Sequence, residues 1–125
     1  METKKIPDAE LEIMMVIWDA ADSGKRSVTS DYIMERLHKS WVKTTLLNLL
    51  TRLVKRGFLS CEKDGRLNIY SPLVERGDYV RDESRSFLQK LHHGSLKSLV
   101  ASLYDGEKIP NEDIEALEKL IRETK

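Results

Sequence analysis

Residues 42–57, VKTTLLNLLTRLVKRG, constrain the fold more than any other segment of the chain. The leucines recur at helical spacing, which predicts a helix over about residues 44–56 with one apolar side. Gly57 follows the last turn and can adopt the left-handed conformation that ends many helices. The apolar side consists of Leu46, Leu49, Leu50 and Leu53. The other side carries hydrogen-bonding groups, because Thr44, Asn48, Arg52 and Lys55 follow one another at helical spacing.

The residues around this helix predict its neighbours. Downstream, FLSCEK and RLNIYSP flank Asp64-Gly65, a dipeptide typical of tight hairpin turns, and Pro72 ends the second strand. Upstream, helices are predicted over residues 8–21, with Asp8 as cap and an apolar stripe, and 30–39, with Thr29 or Ser30 as cap. SVT between them suits a short strand. The order helix, helix, helix, hairpin predicts a winged helix-turn-helix domain over residues 1–72. The stripe of the first helix is Leu11, Met14, Met15 and Trp18.

Charge is distributed unevenly along the chain. The formal net charge of the 125 residues is zero. The segment from Arg36 to Arg66, however, contains eight basic residues and only two acids, Glu62 and Asp64. Such a local excess of positive charge is typical of a surface that binds nucleic acid, although a solvated helix face has the same composition.

The polar side of the third helix has the side chains that recognise DNA. Threonine and asparagine can contact base edges or phosphates, whereas arginine and lysine neutralise phosphates. The alternative is a winged-helix adaptor that presents the same face to a protein partner. We therefore predict a surface for double-stranded DNA formed by Lys43, Thr44, Thr45, Asn48, Arg52, Lys55 and Arg56 of the helix with Lys63 and Arg66 of the hairpin.

The remainder, residues 73–125, predicts three amphipathic helices over about 74–93, 96–104 and 112–123. Helices this short cannot form a large core by themselves, and a second copy of the chain is the simplest partner. They also offer no evident roomy pocket for a small molecule. The fold class is thus mainly α with a small β-hairpin wing, followed by a helical dimerisation domain. The predicted dimer stripe comprises Val80, Phe87, Leu88, Leu91, Leu96, Leu99, Val100, Leu103, Ile114, Leu117 and Ile121.

Other classes of protein find little support in the sequence. No apolar run is long enough to cross a membrane and no signal peptide is evident, so we expect a cytoplasmic protein without membrane insertion. The single cysteine, Cys61, suggests a small apolar filler in a strand rather than a redox sensor. Neighbouring residues on a helix point about 100° apart, which makes His92-His93 a poor metal chelate. We expect no metal, no cofactor and no catalytic residues.

Several segments resemble one known family in their order and spacing. AELEIMMVIW lies in the first helix, TRLVKRGFL joins the third helix to the hairpin, and YSPLV follows the hairpin. SRSFLQKL and GSLKSLVASL lie in the C-terminal part. Together they resemble the penicillinase-repressor (BlaI/MecI) family of winged-helix transcriptional repressors over about residues 4–121.

The resemblance implies a homodimer that occupies a palindromic operator of the TACA…TGTA kind and blocks transcription. In well-known members a membrane sensor-protease detects a β-lactam, and cleavage of the repressor follows. The family often has a cut Asn-Phe bond where this chain has Ser102-Leu103, the possible cleavage site. The DNA-contacting segment of the family falls on Lys43, Thr44, Thr45, Leu47, Asn48 and Arg52.

This chain departs from the family pattern at two places in that segment. Val42 and Lys43 stand where the family often opens the helix with serine or aspartate, and Leu47 stands at an often polar position. The operator sequence is therefore expected to differ. Copper-responsive relatives have a cysteine-rich tail, which this chain lacks, and a repressor with a directly bound small-molecule inducer remains a further alternative.

Overall fold

The computed structural model describes residues 5–104 and 109–123. The chain divides into two compact units between Glu83 and Ser84, and each unit is described by itself. The predicted fold class, mainly α with a small sheet, is confirmed. The elements are α1 (Asp8–Asp22), β1 (Val28–Thr29), α2 (Ser30–Arg36), α3 (Lys43–Lys55), β2 (Leu59–Asp64), β3 (Leu67–Pro72), α4 (Arg76–His92), α5 (Leu96–Tyr104) and α6 (Asn111–Glu123).

Helix α1 supplies the centre of the core of the first unit. Its buried face is built on Ile13, Met14, Ile17 and Trp18. The predicted stripe is wrong at Met15, which is exposed, because the true stripe is shifted by part of a turn. The predicted cap is also wrong: Pro7 occupies the N-cap, no side chain caps the helix, and Asp8 is already inside the first turn, where its charge suits the helix dipole.

Helix α2 begins as predicted and ends early. The Thr29 side chain accepts a hydrogen bond from the Tyr32 N–H at 3.2 Å, so Thr29 is the N-cap. The helix ends at Arg36 rather than at residue 39, because Leu37 adopts an extended conformation. Leu37 is half-buried against the core.

The sheet has the strand order β1-β3-β2, and both pairings are antiparallel. Val28 pairs with Tyr70, so the short predicted strand is real and extends the hairpin by a third strand. Asp64 pairs with Leu67, which makes Gly65 and Arg66, rather than Asp64-Gly65, the two loop residues. Gly65 has φ 65°, as the first loop position of a type II′ turn requires. Arg66 consequently lies at the tip of the hairpin.

The first unit continues past the hairpin into the first part of α4. The Ile6 N–H donates to the Tyr79 hydroxyl at 2.8 Å, and the Trp18 indole donates to the Val74 carbonyl at 2.8 Å. Arg76 forms ion pairs with Asp19 and Asp22 at the end of α1. Burial raises the pKa of the Tyr79 phenol, so Tyr79 is a neutral hydrogen-bond partner at neutral pH.

The second unit contains helices whose apolar faces have little cover within the chain. Among its described residues, α5 and α6 bury no side chain. An open groove of about 460 Å³ runs between α5 and α6, lined by Leu96, Val100, Tyr104, Leu117 and others. Of the predicted dimer stripe, Phe87, Leu91, Leu96 and Leu103 are exposed, whereas Leu88, Leu99 and Val100 are half-buried. Val80 is exposed but belongs to the first unit.

Replacing Tyr79 by phenylalanine should destabilise the first unit. The Ile6 N–H is buried and would lose its partner, which costs about 1–3 kcal/mol. Urea unfolding followed by tryptophan fluorescence measures this, because Trp18 and Trp41 both lie in the first unit. Tyr104→Phe, at an exposed position of the second unit, is the matched control. Equal midpoints for Y79F and the wild type would contradict the role of this hydrogen bond.

Candidate nucleic-acid interface

Helix α3 divides into two sides, one buried and one fully open to solvent. Leu46, Leu50 and Leu53 are completely buried in the core of the first unit. Because the helix cannot rotate without exposing them, the opposite side must face outward. The structure leaves exposed every residue of α3 that was predicted to bind DNA, namely Lys43, Thr44, Thr45, Asn48, Arg52 and Lys55.

The first turn of α3 has no side chain that caps its backbone N–H groups. Val42 occupies the N-cap position and offers no side-chain acceptor, and the first turn has no acidic residue. The backbone N–H groups there point along the helix axis and carry the positive end of the helix dipole. A DNA phosphate is the kind of group that such a helix start accepts.

The hairpin adds two cations to the surface. α3 ends in a turn at Gly57, which has φ 86° as predicted, and Phe58 leads directly into β2. Lys63 lies near the end of β2, and Arg66 lies at the hairpin tip. Both are exposed. Within residues 5–104 and 109–123, no carboxylate lies within ion-pair distance of Arg52, Lys55, Lys63 or Arg66, so these four cations are available to phosphates.

Lys43 is held by an acid that sequence reasoning missed. Its ammonium group lies 2.8 Å from the Asp31 carboxylate of α2, and both side chains are largely exposed. An exposed pair of this kind contributes little stability. It does place one negative charge beside the first turn of α3. No local spacing rule could have found the pair, because the two residues belong to different helices.

Arg56 has a different environment from its neighbours. Its guanidinium lies 3.7 Å from the carboxylate of Glu10, which is only 2% exposed. The other carboxylate oxygen of Glu10 has no hydrogen-bond partner among the described residues. The geometry therefore commits Arg56 to neutralising a buried charge of α1, and it contributes less to the open cationic surface than Lys55 does.

The burial of Leu47 and the exposure of Cys61 bear on two expectations from the sequence. Leu47 is half-buried against the core, which explains why an apolar residue is accommodated beside the polar side of α3. Cys61 is exposed on β2, so the expected role as an apolar filler is wrong. Its cross-strand neighbour Tyr70 is buried, and this burial, together with the nearby Cys61 thiol, raises the pKa of the Tyr70 phenol.

The His92-His93 pair lies at the end of α4. The His92 ring nitrogen Nδ1 lies 2.7 Å from the Ser98 hydroxyl, and His93 adopts a left-handed conformation with φ 50°. In the part of the chain that the structure describes, no three metal-binding side chains come together.

No described helix is long and apolar enough to cross a membrane.

Two solved structures with a similar fold come from the repressor BlaI. The solution structure of Bacillus licheniformis BlaI in its monomeric form, in complex with the blaP half-operator, is 34% identical, with a TM-score of 0.51. It matches 63% of this chain, which covers 94% of that one. The solution structure of the DNA-binding domain of the repressor BlaI matches with the same coverage and a TM-score of 0.52. The first unit is thus a winged-helix domain of the kind found in these repressors.

The chain belongs to the penicillinase repressor family, whose model matches residues 6–123. The penicillinase repressor of Bacillus licheniformis is 35% identical over 98% of this chain and 95% of its own length. The methicillin resistance regulatory protein MecI of Staphylococcus aureus strain N315 is 32% identical over 96% and 95% of the two chains. The resemblance noted from the sequence motifs is confirmed. The family is one of transcriptional repressors, not of enzymes.

Arg56→Ala should lower the stability of the first unit by about 1–3 kcal/mol, because it leaves the buried Glu10 carboxylate unpaired. Loss of one partner from a fully buried pair costs about 3–5 kcal/mol, but the Arg56 side chain is 41% exposed. Lys55→Ala, next to it, should change stability by less than about 0.5 kcal/mol. Glu10→Gln in the Arg56→Ala background should recover part of the loss. Equal effects of R56A and K55A in urea unfolding would refute the pairing.

Proposed function

We propose that this protein is a dimeric, sequence-specific DNA-binding repressor that occupies a palindromic operator through α3 and the hairpin of each copy. The proposal builds on its membership of a repressor family and on BlaI, a relative solved in complex with a half-operator. Its partners are double-stranded operator DNA and a second copy of the chain, and its place is the cytoplasm.

The observation that carries the proposal is the polar side of α3. Thr44, Asn48 and Arg52 are exposed at successive turns, while the leucines on the other side anchor the helix in the core. A helix held in this way can enter the major groove as a rigid body. The cations Lys55, Lys63 and Arg66 flank it and supply the phosphate contacts that set register and affinity.

Apolar exposure in the second unit supports dimerisation. Leu91 is 63% exposed and Leu103 is 60% exposed, and Phe87 and Leu96 are exposed as well. Each large apolar side chain that a second copy covers contributes about 1.5–3 kcal/mol of burial. Two copies joined through these helices present two α3 helices to two half-sites, which lie about 34 Å apart when they are one helical turn apart.

We further propose that repression is relieved by proteolysis in the second unit, through a membrane sensor-protease that responds to a β-lactam or another cell-envelope signal. The candidate bond, Ser102-Leu103, lies inside α5. The Ser102 hydroxyl donates to the Ser98 carbonyl at 3.0 Å, one turn earlier. A protease binds an extended segment, so this turn of α5 has to unwind before the bond can be cut.

The groove between α5 and α6 favours a second candidate, a repressor whose inducer binds directly. Its volume of about 460 Å³ and its apolar lining would suit a small apolar molecule. In a dimer the same apolar surface is also available to the second copy. The two candidates are separated by adding the inducing compound to the intact chain on its operator. Retention of the chain would favour proteolytic relief, since that requires cleavage, whereas release of the intact chain would favour a directly bound inducer. A winged-helix adaptor, in contrast, would bind no DNA at all.

Arg52→Ala should weaken operator binding and reduce its dependence on salt. If Arg52 neutralises one phosphate, the slope of log K against log salt should fall by about 0.9 per bound copy. Mobility shifts over a salt series measure both quantities. Arg122→Ala, at an exposed arginine of α6, is the matched control and should leave the slope unchanged. A weaker complex with an unchanged slope would assign Arg52 to base contacts, and no change in either would exclude it from the interface.

Leu91→Asp should convert the protein into a monomer with an intact fold. The side chain is mostly exposed within one chain, so the charge is tolerated there but is costly inside an apolar dimer interface. Gln89→Asp, at an exposed polar position of the same helix, is the control for charge alone. Sedimentation analysis distinguishes the two states. A stable dimer of L91D would place the interface elsewhere.

A chain that ends at residue 101 should mimic the cleaved repressor. Loss of the end of α5 and of α6 should abolish dimerisation, and the affinity for a full operator should fall by roughly 10²–10⁴ because the two half-sites are no longer bound together. Binding to a half-operator should change little. Full-operator binding by residues 1–101 as tight as that of the intact chain would contradict relief through the second unit.

A further inference from the structure

Val42 is an exposed apolar side chain at the start of the DNA-facing helix. It is the N-cap residue of α3 and is 65% exposed. Its backbone is extended, with φ −80° and ψ 157°, and its carbonyl accepts the first helical hydrogen bonds from the N–H groups of Thr45 and Leu46 at 3.1 and 3.3 Å. The backbone of Val42 therefore stabilises the start of the helix, while its isopropyl group is left largely exposed.

Valine is an unfavourable choice for the helix itself. An N-cap serine, threonine, aspartate or asparagine accepts a hydrogen bond from the first turn, which valine cannot do, and the difference favours the polar residues. Local rules are broken most often at functional sites. An exposed apolar side chain by itself is common on protein surfaces. What distinguishes Val42 is its place directly before Lys43, Thr44 and Thr45, all of which are exposed.

The chemistry of the major groove supplies a partner for such a side chain. Residues at the start of a recognition helix contact base edges. In the major groove only thymine presents a methyl group, at C5, and apolar side chains recognise it by contact. Valine is branched at Cβ, so its methyl groups are held in few rotamers and lose little freedom on contact.

We propose that Val42 reads a thymine in each half-site by contact between its isopropyl group and the thymine C5-methyl group. This inference rests on the proposed DNA-binding function and adds one specificity-determining residue to it. Base recognition at this position is then apolar, in contrast to the hydrogen-bonding contacts that Thr44 and Asn48 offer.

The test removes the thymine methyl group from the DNA and, separately, shortens the Val42 side chain of the protein. An operator is selected from a random-sequence duplex pool with the full chain, and each thymine is then replaced in turn by deoxyuridine, which lacks only the C5-methyl group. For the wild type, one symmetry-related pair of substitutions should weaken binding by about fourfold per half-site, the loss that corresponds to about 0.8 kcal/mol for one methyl-sized group. Val42→Ala, whose side chain is shorter and has a single methyl group, should lose most of this difference at that position.

Two further variants separate base reading from folding. Val42→Ser can cap α3 and should fold at least as well as the wild type, yet it should also be insensitive to the methyl group. Leu73→Ala changes another exposed apolar residue, one that follows β3 and lies outside the surface assigned to DNA, and it should keep the full fourfold sensitivity. Retained sensitivity in both Val42 variants, or no sensitive thymine in the wild type, overturns the inference while leaving DNA binding intact. A wild-type chain that binds no duplex overturns the proposed function as well.

Discussion

The burial of Leu46, Leu50 and Leu53 is the constraint on which the rest of the structure depends. These three side chains are fully excluded from solvent and fix the rotation of α3 about its axis. Burying each contributes about 1.5–3 kcal/mol, more than any single surface ion pair in the molecule can offer. The same constraint directs Thr44, Asn48 and Arg52 outward. One side of the helix thus stabilises the fold and the other is the side proposed to bind DNA, so a change in the leucine spacing is expected to damage both roles.

The charges of the first unit follow from this arrangement. Basic side chains that are not packed in the core lie on the exposed side of α3 and on the hairpin. Of the basic residues predicted to bind DNA, two form ion pairs with acids: Lys43 with the exposed Asp31, and Arg56 with the buried Glu10. The second unit shows the opposite character, with apolar side chains such as Leu91 and Leu103 left exposed. The first unit therefore presents a basic surface suited to a polyanion. The second unit presents exposed apolar side chains suited to packing against another apolar surface.

Periodicity in the sequence was sufficient to predict the helices, the hairpin and the exposed side of α3. It failed where tertiary contacts decide the outcome. Helix α2 ends at Arg36 because Leu37 packs against the core, although the local sequence HKS contains no helix-breaking residue. The Asp64-Gly65 signal placed the hairpin correctly, but the register of β2 on β3 decides that Gly65 and Arg66 form the loop. The Glu10–Arg56 pair joins residues far apart in the sequence, so no spacing rule could reveal that Arg56 differs from Lys55.

The native cysteine allows the most direct test of the central claim, that α3 and the wing face DNA in two symmetric copies. Cys61 is the single cysteine of the chain and is exposed on the wing strand β2, so an iron chelate that cleaves nearby DNA can be attached to it without mutation. The labelled full-length protein is bound to an operator selected from random duplexes, and the cut positions are mapped on both strands. If both wings lie beside the DNA, two clusters of cuts are expected, related by the dyad of the operator, one beside each half-site. Specific binding without any cuts, or with a single cluster on a palindromic site, would contradict the central claim.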